Sequence, residues 1–126
     1  MAIVADAANP EAVRAAVAKT VESFDGLDIL VNNAGIPMAG SIDDMKFENY
    51  EAMLAVNVTG VFVATQEALR HMMEGGRIVH IGSSATKYAG IAGLPADGLI
   101  KGAIAGFNRS LSFEFAKRRR VARLST

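Results

Sequence analysis

Three short apolar runs, Met1–Ala5, Leu27–Val31 and Arg77–Ile81, are each followed by a stretch whose apolar residues recur at helical spacing. Short apolar runs bounded by turn signals read as buried strands. Strands that alternate with helices form a parallel sheet joined by crossover helices. The expected fold is therefore α/β, in one domain over residues 1–126. The first helix opens at Asn9-Pro10-Glu11, with Asn as N-cap, Pro at the first helical position and an acid in the first turn. Val13, Val17, Val21 and Phe24 share one of its faces, and Asp25-Gly26 ends it. A second helix starts at Phe47 or Glu48 and runs to about Glu74, with Tyr50, Leu54, Val58, Val61, Thr65, Leu69 and Met72 in register before Gly75-Gly76. A third runs from about Ala96 to 116 with Ile100, Ile104, Phe107, Leu111 and Phe115 on one face.

Composition narrows the function classes. Hydrophobic residues make up 51% of the chain, enough for a core. There is no Cys, and His71 and His80 are isolated, so no metal site is expected. No uninterrupted apolar run approaches the roughly 20 residues of a membrane span, and no signal-type leader opens the chain. A cytoplasmic protein without a membrane contact is the expectation. The net charge of zero hides a basic end, with Lys117, Arg118, Arg119, Arg120 and Arg123 close together. A nucleic-acid contact is one reading. A solvated helix end is the favoured one, since no aromatics are interleaved to stack bases.

In a parallel sheet, ligands sit at the carboxyl ends of the strands. Asp6, the Asn32-Asn33-Ala34-Gly35 turn and Ser83-Ser84 fall there. Asn57 stands inside an apolar helix, in V-N-V-T-G, where Asn competes for backbone hydrogen bonds. It reads either as a satisfied core amide or as a helix kink that holds a water or a neighbour's carbonyl. Ser84 reads as a turn serine or as a hydroxyl aimed at a substrate oxygen. Lys101, between Ile100 and Ile104, reads as a snorkelling side chain or as a cation for a sugar hydroxyl.

The order and spacing of V-N-N-A-G, V-N-V-T-G-V-F, R-I-V-H-I-G-S-S and G-A-I-A-G-F-N-R-S-L resemble the short-chain dehydrogenase/reductase family through residues 1–116, most of all its 3-oxoacyl-ACP-reductase-type members. The resemblance implies a three-layer Rossmann-like sheet with helices on both faces. It implies an oxidoreductase that uses NAD or NADP on a small-molecule alcohol or carbonyl. By resemblance, Asp6 contacts the adenine, while Asn32, Ala34 and Gly35 border the adenine-ribose. Asn57, Ser84 and Lys101 match three of the four catalytic positions, and Lys101 also binds the nicotinamide ribose. Homo-oligomerisation through the helices at about 48–74 and 96–116 is implied as well.

The chain departs from the family at three places. The acid/base Tyr expected four residues before Lys101 is Asp97, and Tyr88 stands at the wrong spacing to replace it. At neutral pH an ordinary aspartate is an anion that cannot protonate a carbonyl, and pairing with Lys101 at i+4 would keep it so. No two glycines lie one residue apart, so the Gly-rich phosphate turn is absent. The first two strands and the strands after the last helix are expected to be missing, with 117–126 a divergent basic tail. Met1–Ala5 would then be an orphan edge, and unpaired apolar edges invite association. Val121–Leu124 reads either as irregular tail, which is favoured, or as a strand remnant. The expected function is an impaired oxidoreductase; the alternative is an inactive fragment or a self-associating module.

Overall fold

A computed structural model of the chain describes residues 1–84, 92–116 and 121–125. Helix α1 (Pro10–Phe24) begins as expected: the Asn9 side-chain oxygen accepts from the N–H groups of Glu11 and Ala12. It ends at Asp25, in the left-handed region at φ 58°. Strand β1 (Ile29–Asn32) follows. A helix 25 residues long, Phe47–His71, comes next in three parts: α2 (Phe47–Leu54), a π-helical turn (Ala55–Gly60) and α3 (Val61–His71). Strand β2 (Arg77–Ile81), helix α4 (Pro95–Ala116) and strand β3 (Val121–Ser125) complete the order.

The sheet is parallel in the order β1-β2-β3, with Asn32 opposite His80 and Leu30 opposite Ile78. Right-handed crossovers that all advance in one direction put their helices on one face. That is what this order produces. Leu30 and Ile78 face α3 and α4, where Ala68, Met72, Leu111 and Phe115 close a core over them. The opposite face carries Ile29 and Val31, which are 59% and 54% exposed. The α/β architecture is the expected one, but the second layer of helices is not among the described residues.

Two further differences concern strands. Met1–Ala5, expected as a strand, carries no ladder. A strand needs a partner for its N–H and C=O groups, and β1, the edge of the described sheet on that side, does not pair with it. Conversely, a strand does follow the last helix: Val121–Ser125 pairs along β2, and the Gly82 N–H donates to the Ser125 carbonyl. The disfavoured reading of Val121–Leu124 is the one found, because pairing with β2 supplies what a four-residue pattern cannot show. Lys117 to Arg120 and Tyr88 lie outside the described residues.

The Phe47–His71 helix is long and apolar enough, by length and composition, to cross a membrane, though Glu48, Glu51, Asn57, Glu67 and Arg70 interrupt its apolar residues. In the fold, Met53, Val61, Val63 and Ala68 of this helix are buried in the protein. Gly60, at the end of the π turn, is a point of close approach: a side chain there would overlap the Ala7 carbonyl oxygen.

Candidate active site

The site is built from the segment after β1, the π turn and the start of α4. Ile36 is held at both its backbone groups by one side chain. Its N–H donates to Asn57 Oδ1 at 2.9 Å, and its carbonyl accepts from Asn57 Nδ2 at 2.9 Å. Asn57 is buried and satisfied, so both readings made of it hold in part: it is a core amide, and it sits in a π turn. Such turns are rare and frequent at functional sites. Gly35 is required for this clamp, since a Cβ there would lie 2.8 Å from Asn57 Oδ1. Replacing Asn57 by Ala leaves the N–H and carbonyl of Ile36 without partners. We expect about 1–3 kcal/mol lower stability in urea denaturation; an unchanged midpoint would show that the clamp contributes nothing.

Below the turn is a cavity of about 180 Å³ lined by Asn33, Gly35, Ile36, Pro37, Asn57, Asp97 and Lys101. Three of the four predicted catalytic positions, Asn57, Asp97 and Lys101, therefore meet in one space. Asp97 is 9% exposed, in the first turn of α4, where a carboxylate is favoured by the helix dipole. The expected Asp97–Lys101 pair is not formed among the described residues. The Lys101 ammonium instead donates to the Ile81 carbonyl at the end of β2, at 3.2 Å. The carbonyls at the end of a strand lack ladder partners, and a lysine one turn into α4 reaches one.

The remaining predicted residues lie around this space. Ser84 is exposed just past β2 and does not line the cavity. Asn33, Ala34 and Gly35 form an exposed turn. Asn32 is not free for a ligand at its amide nitrogen, which meets Thr65 Oγ1 and His80 Nδ1. Asp6 is exposed, and its Oδ1 accepts from the Ala8 N–H at 2.9 Å, an Asx-type turn. The sequence reading did not single out Thr65 or His80 as parts of the site. The available signal was alternation: in R-I-V-H-I, His80 shares a face with Ile78, the face that α3 and α4 cover.

A larger apolar pocket of about 270 Å³ lies beside the site, lined by Ile42, Met45, Phe47, Tyr50, Pro95, Ala96 and Leu99. It lacks titratable groups except Tyr50. The smaller cavity, with its carboxylate, ammonium and amides, is the one equipped for chemistry.

The profile described as short chain dehydrogenase matches residues 1–124. Versicolorin reductase 1 of Aspergillus parasiticus is 38% identical over 90% of this chain and 44% of its own length. The 3-oxoacyl-[acyl-carrier-protein] reductase of Synechocystis is 33% identical over 94% of this chain and 48% of its own. Among solved structures, a short chain dehydrogenase from Burkholderia cenocepacia in complex with NADP superposes with a TM-score of 0.91 at 45% identity, over 95% of this chain and 49% of that one. The chain thus spans about half the length of the relatives it matches.

Proposed function

The chain belongs to the short-chain dehydrogenase family, and on that premise we propose that it forms part of an NAD(P)-dependent oxidoreductase acting on a small-molecule alcohol/carbonyl pair, with proton transfer impaired at position 97. The observation that carries this reading is the cavity that joins Asn57, Asp97 and Lys101 beneath the Asn33–Gly35 turn.

The residues present fit one end of a nicotinamide cofactor. The turn is exposed and small at Ala34 and Gly35, and Lys101 stands at the cavity wall with donors for a ribose hydroxyl. No residues of this sequence form a G-x-G phosphate turn. When bound, the cofactor supplies or accepts the hydride. Lys101 holds the ribose, exchanging its bond to the Ile81 carbonyl for one to a hydroxyl. Asn57 keeps the Ile36 segment in place. Ser84 donates to the substrate oxygen from its exposed position past β2, and Asp6 contacts the adenine. Asp97 accepts a proton from an alcohol but, as a carboxylate, has none to donate to a carbonyl. A cytoplasmic location belongs to the same proposal.

Titration with NADH and NADPH, read by nucleotide fluorescence and thermal shift, tests the reading. Saturable binding at micromolar levels supports it. A folded chain that binds neither nucleotide contradicts it and leaves the second reading, an inactive self-associating module.

One set of observations favours self-association under either reading. Along α4, Gly98, Gly102 and Gly106 recur every fourth residue with open space where a side chain would be, apart from Arg109 at 3.9 Å from the last. Phe62, Leu99 and Phe113 are exposed on α3 and α4. Small residues let helices approach closely, and apolar surface of this kind marks interfaces. We expect sedimentation velocity to give a dimer or larger species; a clean monomer at micromolar concentration would contradict the homo-oligomer.

A further inference from the structure

We propose that His80 is a positioning residue for the candidate site: its imidazole, together with Thr65, holds the Asn32 carboxamide and so fixes the Asn32–Gly35 turn above the cavity. Asn32 Nδ2 lies 3.1 Å from Thr65 Oγ1 and 3.1 Å from His80 Nδ1. A carboxamide nitrogen has two hydrogens and no acceptor, so both neighbours accept. His80 Nδ1 is therefore bare, and the proton of the neutral ring is on Nε2.

The rest of the ring's surroundings explains little unless this bond matters. His80 is fully buried, opposite Asn32 in the β1–β2 register, with the Phe107 ring 5.7 Å away. Its Nε2 has no hydrogen-bond partner among the described residues. An apolar residue would fill the same space without an unpaired N–H. What the imidazole adds is the acceptor for Asn32.

The consequence is a loop suspended between two amides. Asn32, the last residue of β1, is tied to Thr65 and His80; Ile36, four residues on, is tied to Asn57. Asn57 and Thr65 belong to the same long helix. Asn33, Ala34 and Gly35 hang between these ties and are exposed. Two fixed ends give a ligand-facing turn a set position without using its own side chains.

The device is pH-dependent. A protonated His80 would turn a second donor toward Asn32 Nδ2, and burial already lowers the ring's pKa from its ordinary value near ~6.5. Neutral Asn32 and Phe107 face the ring, and β3 contributes Leu124 to the register. The Lys101 ammonium is on the carbonyl of the next residue, Ile81. The folded chain binds this proton less tightly than the unfolded one. The tie is thus fully present above roughly pH 6.5 and is lost only as the pH falls through the lowered pKa of the folded ring. Any effect on nucleotide binding rests on reading the turn as a cofactor border; the positioning does not.

The test is NMR on the intact chain. Imidazole ¹⁵N shifts at pH 7.5 should show Nδ1 bare and Nε2 protonated; a protonated Nδ1 overturns the proposal. Amide exchange is then followed at Ile36, whose N–H is held by Asn57, in the wild type, His80→Phe and His80→Asn. His80→Phe should speed exchange at this amide about tenfold while Ala68 and Leu111 stay protected. His80→Asn, whose side-chain oxygen also accepts, should restore protection. Exchange unchanged in His80→Phe, or raised equally at Ala68 and Leu111, overturns the proposal. Should His80→Phe not fold, the tautomer and the loss of protection in Thr65→Val decide. NADPH affinity is measured alongside. Weaker binding in His80→Phe with recovery in His80→Asn supports the link to the cofactor. No binding by any variant sinks the cofactor reading of the turn and leaves the positioning to the tautomer and exchange data.

Discussion

In a chimera joining these residues to the remaining half of a relative's chain, Asp97→Tyr should raise carbonyl reduction at neutral pH by roughly 10²–10⁴-fold, the usual contribution of a placed general acid. A phenol carries the proton that a reducing site must deliver, and a carboxylate does not. The space for it exists: Asp97 lines a cavity of about 180 Å³ that it shares with Asn57 and Lys101. A ring at this position extends from the first turn of α4 toward the Asn33–Gly35 turn. Lys101 is not tied to Asp97 but to the Ile81 carbonyl, so the substitution breaks no ion pair. The effect should fall on kcat more than on KM, because the proton is needed in the transition state. Equal rates for Asp and Tyr at position 97 would mean that proton transfer in this site does not run through α4 at all.

The second large effect concerns the core. Phe115→Ala should cost about 3–5 kcal/mol, the range for removing a buried aromatic. Phe115 is 1% exposed and packs with Ala68, Met72, Ile78 and Leu111, joining α3, β2 and α4 in one cluster. With domain stabilities of about 5–15 kcal/mol, a loss of that size leaves little folded chain at ambient temperature. Among the described residues one face of the sheet is covered, so no second layer of them compensates. Urea denaturation measures it. A loss below about 1 kcal/mol would place the stabilising core elsewhere.

How much of this was legible in the sequence depends on where each signal comes from. The start of α1 is local: Asn9 caps it with its own side chain, and Asn-Pro-Glu states as much. The limits of β2 are bounded by glycines and were read correctly as Arg77–Ile81. The π turn was not readable as such, because it accompanies the reach of Asn57 to Ile36, a contact 21 residues away in sequence. Strand β3 was disfavoured for the same reason, since only pairing with β2 makes Val121–Ser125 a strand. The placement of all helices on one face follows from strand order, which no single segment encodes.

The site shows the same division. Asn57, Asp97 and Lys101 were found through their spacing and family resemblance, and the fold brings them to one cavity. The expected Asp97–Lys101 pair was a helical-wheel argument; it failed because the end of β2 offers Lys101 a carbonyl. His80 was dismissed as isolated, since a lone histidine has no sequence partner. Its hydrogen-bond partner, Asn32, is 48 positions away.

The most direct test of the central claim, that the space beneath the Asn33–Gly35 turn is a nicotinamide-nucleotide site, is an NADPH titration of the ¹⁵N-labelled chain followed amide by amide. The account predicts saturable shifts concentrated at Asn33, Ala34, Gly35 and Lys101, with Ala68 and Leu111 in the core unmoved. Shifts scattered over the surface, or none in a folded chain, would contradict it.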